Sequence, residues 1–358
     1  MIELSTISIF LTNLAILIGI FIIISLSLNL EYGYAGIPNF GKLLAVAGGA
    51  YFVGAVSGRI LALAYGQPAG LGYIEKNLGV IGFLNNALSS SPLQSIGFLV
   101  LSLMGAAFFG GLLGYVASYP AIRLRGDYLA ITLLAMGEIL WVIADNWQPL
   151  IGGSMGVRIP DPFRWVGSQY RPLAVLLTVL ATAAIIFLYL QYLGRSPLGR
   201  VLKAMRENEL SASVHGKDVI RLRTKTLIVG FAIAAISGAL NSLWTVSVSP
   251  KDFERVRHTF MPWVMVIIGG AGNNIGAMIG AIIFVTLREL IVFYKYSFEA
   301  IVPFDVVWLE YLLMGIALII VLMYRPEGLL PEKPTRTLSE RRIREIAAQV
   351  APEKSRED

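Results

Sequence analysis

The chain has 358 residues, of which 56% are hydrophobic and only 15% are charged. Soluble globular domains carry about 25% charged residues, so this composition predicts a polytopic membrane protein. The net charge of +6 fits Lys and Arg in cytoplasmic loops and gives no reason to expect nucleic-acid binding. The chain has no cysteine and its two histidines lie far apart in the sequence, so no disulfide, bound metal or other cofactor is expected.

Long uncharged windows indicate the membrane-spanning elements. A helix needs ~20 apolar residues to cross the hydrocarbon core, and the windows that reach this length are 4–30, 77–122, 172–194, 226–250 and 259–287. With further spans at 128–147 and 306–324, we expect an all-α membrane protein of about eight transmembrane helices plus one or two glycine-broken or re-entrant segments. Residues 1–330 form this membrane domain, and 331–358, where charges alternate, form a cytoplasmic tail.

Basic residues set the orientation of the middle of the chain. Lys and Arg concentrate in short cytoplasmic loops, and here they cluster at Arg123 and Arg125, within 194–225 and from Arg325 onward. The chain must leave and return between the first two clusters, which places 148–170 outside. The span before window 259–287 leaves the cytoplasm, so this window begins outside. The span after it must also begin outside, because it ends in the cytoplasm near Arg325. A single crossing by window 259–287 would therefore leave the chain on the wrong side of the membrane.

A glycine-rich break inside window 259–287 resolves this parity, since it divides the window into half-helices or a re-entrant hairpin. A similar segment, 32–54, interrupts the N-terminal half. Backbone breaks are expected at Gly36 and Gly41 in the first segment and at Gly269, Gly270 and Gly272 in the second. Paired breaks indicate a transporter with two pseudo-symmetric halves and a pathway at their interface. The alternative is two ordinary glycine-rich helices that pack closely.

The polar segment 194–225 interrupts this hydrophobic chain. Apolar residues recur at i, i+3, i+4 and i+7 from Leu198, which predicts an interfacial amphipathic helix. Asn208 is then a good N-cap, Glu209 lies in the first turn, and Gly216 can end a second helix in the left-handed conformation. This second helix has about two turns, too few to be stable alone in water. Either the rest of the chain packs on it or a separate protein does.

The same segment carries a sequence resemblance to the cytoplasmic coupling loop of ABC importer permeases. The matching residues are Gly199-Arg200, Ala204-Met205-Arg206-Glu207-Asn208-Glu209, Ala212 and Gly216. Other matches lie in order within 25–331: Leu28-Asn29-Leu30, Gly33-Tyr34-Ala35-Gly36, Gly49-Ala50-Tyr51, Arg123-Leu124-Arg125-Gly126 with Tyr128, Gly137-Glu138-Ile139, Gly152-Gly153-Ser154 with Gly156, Gly269-Gly270 with Gly272 and Gly276, and Arg325-Pro326 with Gly328-Leu329-Leu330. The ordered set resembles the branched-chain amino acid permeases of the LivM type.

The resemblance implies a half-channel in the prokaryotic plasma membrane that crosses it several times. It would work with a second homologous permease, two cytoplasmic ATPases and an external binding protein that delivers ligand. ATP and Mg²⁺ would be bound by the ATPases, so this chain is expected to be no enzyme itself. The residues that the resemblance assigns to coupling with the ATPase are Arg206, Glu207, Asn208, Glu209, Leu210, Ala212 and Gly216.

Two glycine motifs imitate nucleotide-binding loops. Residues 36–42 match GxxxxGK, but Leu43 replaces the Ser or Thr that would bind Mg²⁺, and no buried strand precedes the motif. Residues 270–275 fail the dinucleotide fingerprint at its last position. Neither an intrinsic ATPase nor an oxidoreductase is expected.

Ionisable residues inside spans are costly and are therefore functional candidates. Glu138 lies near the middle of its helix, and Asp145 lies about two turns further out on the same side. Lys42, in the first broken segment, is placed to pair with Glu138. Such a pair either contacts the charged groups of a zwitterionic substrate or locks two helices together. The residues expected to line the pathway are Lys42, Glu138, Asn273 and Asn274.

These observations favour a permease that imports branched-chain or other small amino acids. Within the same family, an importer of urea or short amides is the alternative. From another class, an ion-driven secondary transporter shares the broken helices and the intramembrane charges. It does not need the capped helix at 208–216, so deleting that helix distinguishes the two classes.

Overall fold

The computed structural model describes residues 2–294 and 306–332, together with Arg342 and Glu345. In these residues the helices are α1 (Ile2–Leu28), α2 (Lys42–Phe52), α3 (Gly58–Ala64), α4 (Leu71–Glu75), α5 (Asn77–Ser90), α6 (Pro92–Arg123), α7 (Gly126–Asn146), α8 (Gln148–Ile151), α9 (Arg171–Arg195), α10 (Pro197–Glu207), α11 (Glu209–Val214), α12 (Val219–Thr245), α13 (Met261–Gly269), α14 (Asn274–Phe293) and α15 (Val306–Tyr324). Two short strands, β1 (Val157–Arg158) and β2 (Ser247–Val248), pair antiparallel. Most of the tail 331–358 lies outside the described residues.

The expected membrane architecture is confirmed. Within the described residues, 7 helical segments are long and apolar enough to cross a membrane, and Val256–Gly269 is a shorter apolar helix. Helix α15 follows them with 19 residues, of which all but Glu310 are uncharged. The structure is therefore an all-α polytopic membrane protein, with about eight spans and a short segment between two of them. The relation of its two halves by pseudo-symmetry stays a prediction.

Helix α12 lies at the centre and packs against α1, α2 and α6. Small residues permit this packing: a methyl group at Gly114 of α6 would lie 2.7 Å from the carbonyl oxygen of Leu227 in α12. The absence of a Cβ lets the two backbones approach, which gives dispersion contact in place of the hydrophobic effect that lipid does not supply. The Gly110 and Gly114 spacing is thus a helix-packing feature within the chain.

The second predicted break is present between α13 and α14. Gly270 and Gly272 have φ of +113° and +83°, conformations that only glycine adopts at low cost. Asn273 then caps α14, because its side-chain oxygen accepts a hydrogen bond from Ile275 N at 3.0 Å. The two helices pack side by side as a hairpin.

The first break lies between α1 and α2. A π-helical turn, Asn29–Tyr34, ends α1, and Gly36 follows with φ of +70°. The chain then runs without helical structure to Gly41, whose N–H donates to the Asn39 side chain at 2.8 Å. Because Gly33 contacts Arg206, the end of α1 lies at the same end of the protein as the basic loops, and α1 begins at the opposite end.

The external loop 148–170 is more ordered than the turns expected for it. Its strand β1 pairs with β2 through Val157↔Val248, and Asp161 forms an ion pair with Arg171 at 2.6 Å. Helices α3 to α5 pack over it, with Tyr73 fully buried among them. Burial raises the pKa of the Tyr73 hydroxyl, since the phenolate would be poorly solvated.

Candidate functional site

The polar segment forms two helices, α10 and α11, as the sequence predicts. Helix α10 buries Leu202 and Met205 against the membrane domain, while Leu198 stays exposed beside an apolar groove. The side chain of Asn208 caps α11 by accepting from Ser211 N at 2.9 Å. Gly216, with φ of +74°, follows the last turn. Local capping signals therefore gave both ends of α11 correctly.

Helix α11 is anchored on one side and uncovered on the other. Ala212 is buried, and Glu209 forms ion pairs with Arg223 and, at 3.4 Å, with Arg125. On the outer side, Leu210 is 75% exposed and Val214 is 78% exposed. These two residues lie one turn apart, so this 6-residue helix presents a small apolar patch to solvent.

Arg206 joins α10 to the first break. Its guanidinium donates to the Gly33 carbonyl oxygen, and the backbone of Gly36 packs against its side chain. It also forms an ion pair with Glu332 at 2.8 Å. Lys203 forms a second ion pair with Glu332 at 2.6 Å. The polar segment, the end of α1 and the start of the tail are therefore held together by charge-assisted contacts.

The two breaks meet at the same cytoplasmic level. The Asn29 side chain accepts from Gly272 N at 2.8 Å and donates to the Asn274 side chain at 2.9 Å. Asn274 also donates to Gln191 of α9 at 3.3 Å, and Asn273 donates to the Leu330 carbonyl at 3.2 Å. Both asparagines thus belong to a junction of broken segments at the inner end of the protein.

A short strap after α15 completes this junction. Leu329 N donates to the Ile268 carbonyl at 2.8 Å, and Leu330 N donates to the Gly269 carbonyl at 3.0 Å. These bonds satisfy backbone acceptors at the end of α13, which its glycine break leaves without helical partners. Asn29 and the strap were noted in the sequence only as family motifs with no role, and Glu332 was not noted at all, because nothing local marks residues whose partners are distant in the chain.

The pairing expected between Lys42 and Glu138 is wrong. Lys42 Nζ lies 2.5 Å from Glu31, and both side chains are 0% exposed. Lys42 also donates to Ser27 at 2.6 Å, and Asn39 donates to Glu31 at 2.8 Å. The non-helical stretch between α1 and α2 folds back on the end of α1. The Lys42 side chain therefore contacts Glu31 and not Glu138 of α7. Glu31 was detectable in the sequence as another ionisable residue within an apolar span.

Glu138 has a different partner. Its carboxylate lies 3.4 Å from Arg255 Nε, with side chains 33% and 49% exposed. One turn further out, Trp141 Nε1 donates to the Pro250 carbonyl at 2.9 Å. The segment 250–255 thus lies along α7. Among the described residues, no group of three or more His, Cys, Asp or Glu side chains is placed to hold a metal ion.

Comparison with known proteins identifies the family. The sequence model of a protein family, described as the permease component of the branched-chain amino acid transport system, matches residues 10–322. This chain belongs to that permease family. A probable branched-chain amino acid transport permease protein LivM from Methanocaldococcus jannaschii is 42% identical over 318 residues, which cover 88% of this chain and 92% of the relative. The resemblance inferred from the ordered motifs is therefore confirmed.

Other relatives within the family are more distant. The high-affinity branched-chain amino acid transport system permease protein LivM of Escherichia coli is 28% identical over 344 residues, 89% of this chain and 69% of the relative. The LivH permease protein of the same organism is 23% identical over 318 residues, 86% of this chain and 90% of the relative. No solved structure matches the chain.

Proposed function

We propose that this permease is one membrane subunit of an ATP-driven importer of branched-chain or other small amino acids in a prokaryotic plasma membrane. Two cytoplasmic ATPases supply the energy and bind ATP and Mg²⁺, and an external binding protein delivers the substrate. Family membership and the branched-chain amino acid transport for which the relatives are named support the substrate class. A second, homologous permease completes the pathway; the similarity of this chain to both LivM and LivH of one organism supports two related subunits.

The exposed face of α11 is the observation that best supports docking of a cytoplasmic ATPase. Six residues are far fewer than the ~12–15 that an isolated helix needs, and the chain anchors only the side with Ala212 and Glu209. Leu210 and Val214 remain uncovered, one turn apart, at the tip of the basic cytoplasmic segment. A hydrophobic groove on a soluble partner fits such a patch, as amphipathic helices fit grooves in other complexes.

The contacts behind α11 provide a route from this docking patch to the pathway. Helix α10 leads directly into α11 and carries Arg206, which bonds to Gly33 and Glu332. Gly272 lies against the same Arg206 and Glu332 side chains. A movement that the ATPases impose on α11 therefore reaches both backbone breaks through a few charge-assisted contacts. This is a two-state shift driven by differential binding of the partner.

Association with the ATPase tests the proposal. The permease is co-expressed with its candidate ATPase subunits, purified gently through a tag on this chain, and probed for co-purified ATPase. Leu210→Asp places a charge in the proposed hydrophobic contact, so we expect loss of the ATPase from the eluate and loss of ATP-dependent leucine uptake. Burying an unpaired carboxylate is costly enough to remove most of the association.

A matched control uses Leu78→Asp in α5, which replaces a similarly exposed leucine on the external face. This variant should retain the ATPase. If Leu210→Asp retains the ATPase as fully as Leu78→Asp does, the docking role of α11 is refuted. If uptake survives deletion of 208–216 and depends on an ion gradient instead, the chain is a secondary carrier.

A further inference from the structure

The segment 250–255 lies within the outer half of the membrane. Helix α7 has 21 residues, about 31 Å at 1.5 Å per residue, which matches the hydrocarbon thickness of about 30 Å. Trp141 then lies roughly 7 Å below its outer end, and Glu138 lies roughly 12 Å below it. The Pro250 carbonyl accepts a hydrogen bond from Trp141, and Arg255 forms an ion pair with Glu138. The chain from Pro250 to Arg255 therefore runs from the level of Trp141 to the level of Glu138.

This depth is unusual for such a segment. The segment consists of a 3-10 turn, Pro250–Asp252, followed by the non-helical Phe253 and Glu254, and irregular backbone of this kind occurs in the hydrocarbon region only where protein buries it or where it lines a water-filled cavity. Yet Lys251, Asp252, Glu254 and Arg255 are all exposed. Charged side chains facing lipid at this depth would be prohibitively unstable. In the proposed assembly, this face of the protein would therefore meet the aqueous pathway, open to the outside, and not lipid.

We propose that Glu138 and Arg255 form a binding site for zwitterionic amino acids on the outer wall of this pathway. The inference rests on the proposed import function and assigns the residues that first recognise the substrate after its delivery. An α-amino acid carries an ammonium and a carboxylate on one carbon. The Glu138 carboxylate accepts hydrogen bonds from the ammonium, and the Arg255 guanidinium donates to the carboxylate.

The geometry of the pair suits an exchange of partners. Glu138 and Arg255 meet through one contact of 3.4 Å, and each keeps between a third and a half of its side chain exposed. Water already solvates both groups, so separating them costs little. A zwitterion entering between them gives each group a new counter-charge, and the charges of the site stay balanced. The half-buried indole of Trp141, one turn outward, offers apolar surface to an aliphatic side chain.

The site is tested in the full complex reconstituted in lipid vesicles with its external binding protein. Uptake of labelled leucine and hydrolysis of ATP are measured together, and their ratio is the readout. Glu138→Gln and Arg255→Gln should each lower leucine uptake per ATP about tenfold, the loss of one charge-assisted contact. Stimulation of ATP hydrolysis by the loaded binding protein should remain, because neither residue lies in the cytoplasmic coupling contacts.

A charge reversal separates substrate recognition from a structural clamp. In the double variant Glu138→Arg/Arg255→Glu an ion pair can form again, but the counter-charges for the substrate are exchanged. We expect normal assembly by gel filtration and no recovery of leucine uptake per ATP. Recovery to within about twofold of wild type, against the expected tenfold loss, would show that the pair only holds α7 to its neighbour.

The control is Glu289→Gln, which removes a carboxylate from another ion pair of a span, Arg288–Glu289 at 2.7 Å. It should keep the wild-type ratio. Single variants of Glu138 and Arg255 that also keep this ratio would overturn the inference. Failure of the wild-type vesicles to take up leucine with ATP would instead overturn the proposed function, and the wild-type arm alone reveals it.

Discussion

Two of the ion pairs that involve the spans, Glu31–Lys42 and Glu138–Arg255, differ in almost every respect except charge. Glu31 and Lys42 are completely buried, 2.5 Å apart, and further held by Ser27 and Asn39. Glu138 and Arg255 make a single longer contact and remain accessible. The first pair joins the end of α1 to the start of α2, whereas the second lies on the face proposed to meet the aqueous pathway.

The difference shows that burial determines how much free energy it costs to separate the two charges of an ion pair. A buried charge that loses its partner has no water to replace that partner, so separating Glu31 from Lys42 is costly. This inner pair therefore holds the first break in one arrangement. An accessible pair loses little when it opens, so the outer pair is able to exchange partners. Residue type and membrane depth alone did not distinguish these two cases.

The largest expected effect comes from Lys42→Met. The substitution keeps most of the side-chain volume but leaves the Glu31 carboxylate buried without its counter-charge. We expect the protein to lose about 3–5 kcal/mol of stability, seen as a strong decrease in melting temperature and in the yield of monodisperse protein. The double variant Glu31→Gln/Lys42→Met removes both charges and keeps an acceptor for Asn39, so it should recover most of that loss. A single variant as stable as wild type would contradict the structural role of the inner pair.

A smaller effect is expected from Gly230→Ala in α12. The added methyl group would lie 2.6 Å from the Glu31 carboxyl carbon, which Lys42 and Asn39 hold in place. Overpacking of this kind costs about 1–3 kcal/mol.

The matched control for this substitution is Gly111→Ala in α6, where the nearest side-chain atom lies 3.6 Å from the added group. Because alanine is the better helix former, this control should be neutral or stabilising. Thermal unfolding of both variants in one detergent measures the difference; equal melting temperatures would refute the tight packing at Glu31.

The smallest effect on stability is expected from Arg255→Met. Its ion pair with Glu138 is half-exposed, and such pairs contribute less than about 1 kcal/mol. The melting temperature should therefore stay near that of wild type while uptake decreases. A loss of stability comparable to that of Lys42→Met would remove the distinction between the two pairs.

Features set by local sequence were predictable. Uncharged windows gave most of the spans, since burial in lipid disfavours charge, but the span Lys42–Ala64 contains Lys42 and Arg59 and was expected only as a broken segment. Glycine clusters gave both breaks. Asn208 and Gly216 gave the limits of α11, because capping acts within a few residues. The resemblance to a known family then assigned the coupling residues, which the described geometry brings to one exposed helix and the contacts behind it.

Partners across the chain were not predictable. Lys42, in the first broken segment, was expected to pair with Glu138, but the chain reversal at 35–41 brings it to Glu31 instead. Arg255 lies in a loop that the sequence placed outside, and only the bond from Trp141 to Pro250 shows how far that loop descends. The tail was expected only as a charged segment after the membrane domain, yet Glu332 at its start bridges Lys203 and Arg206. Tertiary contacts decide each of these cases.

The junction at Asn29, Arg206 and Gly272 has a mechanical consequence. Because α10, the end of α1 and the α13–α14 hairpin share these few polar contacts, we expect a displacement of either break to move the other. In the proposed import cycle, the two breaks would then switch together between two arrangements and not one after the other.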